Sequence, residues 1–275
     1  MKQVENHVDF EQTNRPRTRF KQFFDIFKHR FVELMKISFL QTVFNMPLIA
    51  TLVCFYVFVR GATSINSLMT IYIVTGVLIM FSMMSAFTGL TGSFYCMKQL
   101  IYAEGEFASS SFFLGLRSEW KRGLLTGFIV GLSAMVTIIG SFFFYFYLSN
   151  FDTTISGFGI VILVIQSLLV YMVGYYAIGQ TLIYENKYRH ILKNGFLMTL
   201  MRFHINFGIF IIHPGIFIAL VNIMDITMYV AIVLLVFLVA IGNLMWMANC
   251  IGAFDKFINK ENYPDYYKKG LYKEV

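Results

Sequence analysis

Apolar and polar positions along this chain segregate into long blocks. Uncharged runs cover residues 37–59, 68–97, 124–148, 158–184, 203–224 and 226–254. Each is long enough to cross a hydrocarbon layer of about 30 Å, which takes roughly 20 helical residues. Lipid offers the backbone no hydrogen-bond partners, so a spanning segment must bond within itself, and a helix does this. The pattern predicts an all-α, polytopic membrane protein with six transmembrane helices. The second, fourth and sixth runs exceed the minimum and are expected to tilt, break or extend into the interface. The fifth is the most polar, with His204, Asn206, His213, Pro214 and Asn222, and a tight turn at Asp225 would join it to the sixth.

Helical periodicity appears in the flanking segments. In "FKQFFDIFKHRFVELMK", residues 20–36, Phe20, Phe23, Phe24, Phe27, Phe31, Leu34 and Met35 recur at steps of three and four. Lys21, Asp25, Lys28 and Lys36 lie off that face, which predicts an amphipathic interfacial helix. Such a helix lies on the membrane with its phenylalanines at the acyl boundary or docks into a partner's groove, and the first is the more ordinary use. Ser109, Ser110 and Ser111 offer an N-cap to a short helix bearing Phe112, Phe113, Leu116 and Trp120 and ending in Lys121 and Arg122. The segment "ENKYRHILKNGFLMTLMRFH" repeats the mixture, with Ile191, Leu192, Phe196 and Leu200 beside Lys187, Arg189, Lys193 and Arg202. Basic, amphipathic segments of this kind are ordinary snorkelling flanks of inserted helices and also the places where a partner could grip.

Composition excludes a soluble domain. Hydrophobic residues make up 57% of the 275 and charged residues 13%, with 31 phenylalanines. Charge then orients the spans, because short loops that keep Lys and Arg stay in the cytoplasm. Alternate segments hold 21 of the 22 cations, Arg60 being the exception, and this alternation requires the polar fifth span. Both termini are therefore expected in the cytoplasm, with the chain in the cell membrane. The net charge of +7 falls on the inner surface, where it suits anionic lipid headgroups and not nucleic acid. The expected organisation is a flexible lead (1–19), the interfacial helix (20–36), the six-helix domain (37–254) and a cytoplasmic tail (255–275). No secretory leader is read, because polar residues precede the first apolar run.

Few residues suggest chemistry. Cys54, Cys96 and Cys250 fall in apolar runs and carry neither disulfide nor metal spacing. Gly123, Gly127 and Gly131 share one face of the third span, where another helix can approach closely, most simply one from the same chain. His213 and Pro214 read as a kink with a satisfied histidine, and, as the functional reading, as a proton relay or substrate contact. Pro47 is expected to kink or break the first span, and Gln166, Gln180, Asn243 and Asn249 to bridge helices through their amides. Phosphate loops, paired metal-spaced histidines and nucleophile elbows do not occur. The reading is of a non-enzyme with no cofactor and no metal.

Ordered short motifs then carry a likeness. "AFTGLTGSFYCMKQLIYAEGEFASSSFF", "ILKNGFLMTL", "NMPLIAT" and "FDKFI" with the later proline and "KKGL" together resemble the YesL-like family of bacterial integral membrane proteins, a domain of unknown function. The matching positions are Pro47, Phe87, Thr88, Gly89, Tyr95, Glu104, Phe107, Phe112, Lys193, Asn194, Phe254, Asp255, Lys256, Pro264, Gly270 and Leu271. Leu90, the Lys98–Gln99 pair and Ser111 depart from the family's usual proline, Arg-Asn and aspartate. The resemblance implies a membrane companion of binding-protein-dependent, ABC-type sugar importers and brings no catalytic residues. The expected function is a non-enzymatic accessory subunit that contacts other transporter subunits. Its docking residues would be Glu104, Phe107, Phe112, Trp120, Lys193, Asn194, Asp255 and Lys256. The alternative is an autonomous small-solute transporter or channel with a path near the kinked fifth helix.

Overall fold

The computed structural model describes residues 15–104, 108–148, 152–212 and 228–272, which form helices and turns with no strand among them. The helices are α1 (Arg19–His29), α2 (Phe31–Gly61), α3 (Ile65–Tyr102), α4 (Ala108–Phe146), α5 (Thr153–Thr181), α6 (Tyr188–Met201), α7 (Phe203–Phe210) and α8 (Met228–Phe254). A π-helical turn, Asp255–Asn259, continues α8. Among the described residues five helices are long and apolar enough to cross a membrane: α2, α3, α4, α5 and the last, which runs on to Asn262. These correspond to the first, second, third, fourth and sixth runs. Of the expected fifth span only the beginning, α7, is described; His213, Pro214, Asn222 and the turn at Asp225 lie outside the described residues.

Three boundaries differ from the sequence expectation. The amphipathic segment 20–36 is not one helix: α1 stops at Arg30, whose φ/ψ of −121°/26° is non-helical, and α2 begins at Phe31 and runs straight into the first span. Ser109, Ser110 and Ser111 lie inside the first turn of α4 instead of capping it, and Ser111 is buried. The bend in α4 falls at Glu119 (φ −127°, ψ 16°), ahead of Lys121 and Arg122 where the short helix was expected to end.

Pro47 does not break α2, which passes it without interruption. Proline removes the donor that would serve the carbonyl one turn back and loosens the bonds beside it. Hydroxyls add bonds beside it: Ser85 donates to the Phe44 carbonyl at 2.9 Å, and Thr51 donates to the Pro47 carbonyl at 2.8 Å.

At 38 residues, α3 is about 57 Å long at 1.5 Å per residue, well beyond the hydrocarbon layer. It ends in a left-handed residue, Ala103 (φ 55°). The Glu104 amide bonds the Gln99 carbonyl at 3.0 Å and the Ala103 amide the Leu100 carbonyl at 3.3 Å, the paired closure of a Schellman motif.

The chain divides into two compact units. One comprises Met1–Phe39, Ser93–Gly115 and His204–Val275, and the other Leu40–Gly92 and Leu116–Phe203. In the first, Leu34, Ile37, Phe94, Phe112, Trp246 and Phe254 are fully buried. Two amides bridge helices there: Asn243 Nδ2 donates to Ser93 Oγ at 2.9 Å, and Asn249 Nδ2 to Asn206 Oδ1 at 2.8 Å. The Ser38 hydroxyl donates to the Val236 carbonyl.

In the second unit the glycine face of α4 meets the backbone of α3. A Cβ built on Gly127 would stand 2.5 Å from the Met83 carbonyl oxygen and 2.6 Å from Met84 Cα. One on Gly131 would stand 2.6 Å from the Met80 carbonyl oxygen, and one on Gly123 2.8 Å from the Thr91 methyl carbon. Three bare positions at one-turn spacing therefore let two helices touch backbone to backbone, within a single chain. Gln166 Nε2 donates to Ser133 Oγ at 2.9 Å and Gln180 Nε2 to the Ile191 carbonyl at 3.4 Å, so all four singled-out amides bridge helices.

Candidate functional site

Two constructions stand out, one in each unit. The first is a clasp that ties residues 16–22 and 255–272 to the end of α3. Its centre is Asp255, buried in the π-helical turn. Arg19 donates to the Asp255 carboxylate through Nη2 at 2.8 Å and Nε at 3.2 Å, and both side chains are nearly excluded from solvent. The other carboxylate oxygen accepts from Asn259 Nδ2 at 2.9 Å and from the Lys268 amide at 3.2 Å. Four donors on one carboxylate are what a buried anion requires, since an unpaired one would cost several kcal/mol, about 3–5 when a partner is removed.

Gln22 carries the network onward. Its Oε1 accepts from Arg19 Nη1 at 2.7 Å, and its Nε2 donates to the Ile101 carbonyl at 2.6 Å and the Gly270 carbonyl at 3.1 Å. The last carbonyls of a helix have no partner within it, so Gln22 acts as a cap delivered from α1 to the C-terminal end of α3. Gly270 has φ +79°, and any Cβ there would collide with the Ile101 carbonyl oxygen. The chain end is held further by the Tyr272 amide on the Pro16 carbonyl at 3.2 Å. Lys269 pairs with Glu104 and lies 5.3 Å from the centre of the Tyr102 ring and 5.6 Å from that of Tyr266.

This arrangement differs from one expectation, that of the flexible lead. Residues from Arg15 onward, expected in a flexible lead, are placed against the tail through Pro16 and Arg19. The helix face of α1 that is buried is marked by Gln22 and Ile26, whereas Phe20 and Phe24 point outward. The reason is the Gln22 amide, which must reach two backbone carbonyls and so sets the rotation of α1. Phe27 and Phe31 still meet Phe237 of α8, with ring centres 6.5 and 5.7 Å apart.

The second construction is a groove of about 200 Å³ among α4, α5 and α6, with a lining that is almost wholly apolar. Val130, Val170 and Val173 form its floor and walls, and Leu192 and Phe196 of α6 its rim. At one end Thr126 bonds the Tyr188 hydroxyl at 2.8 Å and also donates to the Arg122 carbonyl at 2.7 Å. Burial pushes the Tyr188 hydroxyl above the ordinary tyrosine range, against the opposing pull of the Thr126 hydrogen bond and the Arg122 charge.

The residues expected to dock a partner are divided between the two units, Glu104, Phe112, Asp255 and Lys256 in the first and Trp120, Lys193 and Asn194 in the second. Phe112 is fully buried and Asp255 is enclosed by the clasp, so both are structural, because neither presents a free group. Glu104 is half-exposed but paired with Lys269. Trp120, Lys193 and Lys256 are exposed and Asn194 is half-buried. Phe107 lies outside the described residues, as do His213 and Pro214. Gly123, Gly127 and Gly131 are occupied by α3 and hence closed to a partner.

Gln22, Asn259 and Lys269 escaped the sequence reading. Gln22 could have been noticed as a lone amide between phenylalanines, but nothing local indicates carbonyls 79 and 248 positions away as its partners. No group of three or more metal-ligating side chains occurs among the described residues. Compared with family models, curated proteins and solved structures, the chain matches none.

Proposed function

We propose that this chain is a non-enzymatic accessory subunit of the cell membrane that docks onto a carbohydrate importer of the ABC type and regulates or assembles it. The observation that carries the reading is the clasp. It joins the start of α1 to residues 255–272 as a cap, with Lys256, Phe257 and Lys260 on its outside and Asp255 locked within. A partner can bind such a prearranged surface without the entropic cost of ordering two loose tails. The positive-inside distribution puts the cap in the cytoplasm, where an importer's ATPase subunits work. The carbohydrate assignment rests on the resemblance to YesL-like proteins, and the tail positions that carry it, Asp255 and Gly270, are ones the clasp uses.

Affinity purification in gentle detergent tests the proposal. Permease and ATPase subunits of a sugar importer are expected to copurify and to be lost with the surface variant K256E/F257A. Recovery of the chain alone would sink the reading. The rival, an autonomous transporter or channel, draws on the buried Asn206–Asn249 amide pair, which places polar groups in α7 shortly before His213. Solute or proton flux by the purified chain in liposomes, abolished by His213→Ala, would favour that rival instead.

A further inference from the structure

The groove in the second unit is not part of the proposed docking cap, and its surroundings identify a ligand class. Its α4 wall, Thr126 to Val130, begins seven residues past the kink at Glu119, and its α5 wall, Val170 to Gly174, ends seven residues before Thr181. At 1.5 Å per residue the walls lie roughly 10–16 Å along their helices from the Glu119 kink and from Thr181, inside the uncharged runs 124–148 and 158–184 whose length suits hydrocarbon.

The rim is graded in polarity. On a helix with 100° per residue, Leu192 and Phe196 of α6 lie 40° apart, and Arg189 and Lys193 follow at 60° and 100° from Leu192. The opposite flank is buried through Ile191, Gly195 and Met198. Passing around α6, the surface therefore changes from buried, to groove-lining, to cationic. Arg189 and Lys193 are exposed, and neither forms an ion pair among the described residues.

We propose that this groove is a binding site for one anionic diacyl phospholipid, with an acyl chain along Val170, Val173 and Phe196 and the headgroup phosphate held by Arg189 and Lys193. An apolar slot alone would accept any lipid; the two cations beside it select the anionic class. Fixed cations near a membrane surface favour an anionic headgroup on the order of fivefold each, from about 1 kcal/mol per side chain. This inference stands independently of the importer.

The test uses the full chain in vesicles with a reporter, Phe196→Trp in a Trp120→Phe background, read as the difference from the Trp120→Phe parent, which keeps only the buried Trp246; Phe196 is half-exposed and tolerates the exchange. Brominated-acyl phosphatidylglycerol should quench the reporter more than brominated phosphatidylcholine at equal mole fraction. The preference in apparent affinity should approach one order of magnitude or more. Arg189→Gln with Lys193→Gln should remove the preference and leave phosphatidylcholine quenching unchanged; both residues are on the surface, so the fold is retained. Val170→Phe, which fills the slot, should reduce quenching by both lipids. Equal quenching by the two headgroups, which is ordinary solvation by lipid, would overturn the proposal, as would a preference that survives the double substitution.

Discussion

The α3–α4 seam and the clasp of the chain ends solve the same problem with opposite means. In the seam, Gly123, Gly127 and Gly131 carry no side chain, and association comes from backbone surfaces lying against each other. In the clasp, one carboxylate, one guanidinium and one amide collect donors and acceptors from four separate stretches of chain. The difference follows from the medium. Between helices in lipid the apolar solvent competes equally for apolar side chains, so close approach and dispersion decide. Beyond the apolar runs helix ends leave carbonyls unbonded, so polar complementarity decides. A helix pair can be matched by shape alone only where neither partner has unmet polar groups.

Gly127→Leu probes the seam and should have the largest effect. The new side chain meets the backbone at Met83 and Met84, which cannot rotate away, so the helices must part. A loss of at least about 3 kcal/mol is expected, read as early thermal unfolding in detergent. Asp255→Ala probes the clasp and should cost about 3 kcal/mol by stranding Arg19, but locally. Proteolysis at Lys268 and Lys269 should accelerate while protection of the α3–α4 segment is unchanged; if both regions loosened together, the two devices would be one. The smallest effect is Ala103→Gly. Ala103 holds a left-handed conformation that costs an L-residue about 1 kcal/mol, so glycine should raise stability by less than that, seen as a slight upward shift in unfolding temperature.

The seam was legible in the sequence because its information is local: three glycines at fixed spacing imply a bare face, and any neighbour will fit it. Five of the spans were legible for the same reason, since hydrocarbon thickness is a property of the solvent. The helix-bridging amides could be named in advance, although not their partners, because an amide in an apolar run has few other uses. The clasp was not legible. Arg19 and Asp255 are 236 positions apart, and each alone resembles an ordinary charge at a membrane edge. For the same reason Asp255 was taken for a docking group, when the carboxylate is enclosed. The phenylalanine face of α1 could be read from its spacing, but not the contact of the opposite side, where Gln22 satisfies two carbonyls.

The 236-position reach of the Arg19–Asp255 pair also has a bearing on biogenesis. Helices can insert and zip along their glycines as they are made, but Arg19 and Gln22 must wait until Asp255 and Gly270 have been synthesised. A prematurely terminated product would leave those groups stranded at the membrane surface, a mark by which proteolytic surveillance could tell an unfinished chain from a finished one.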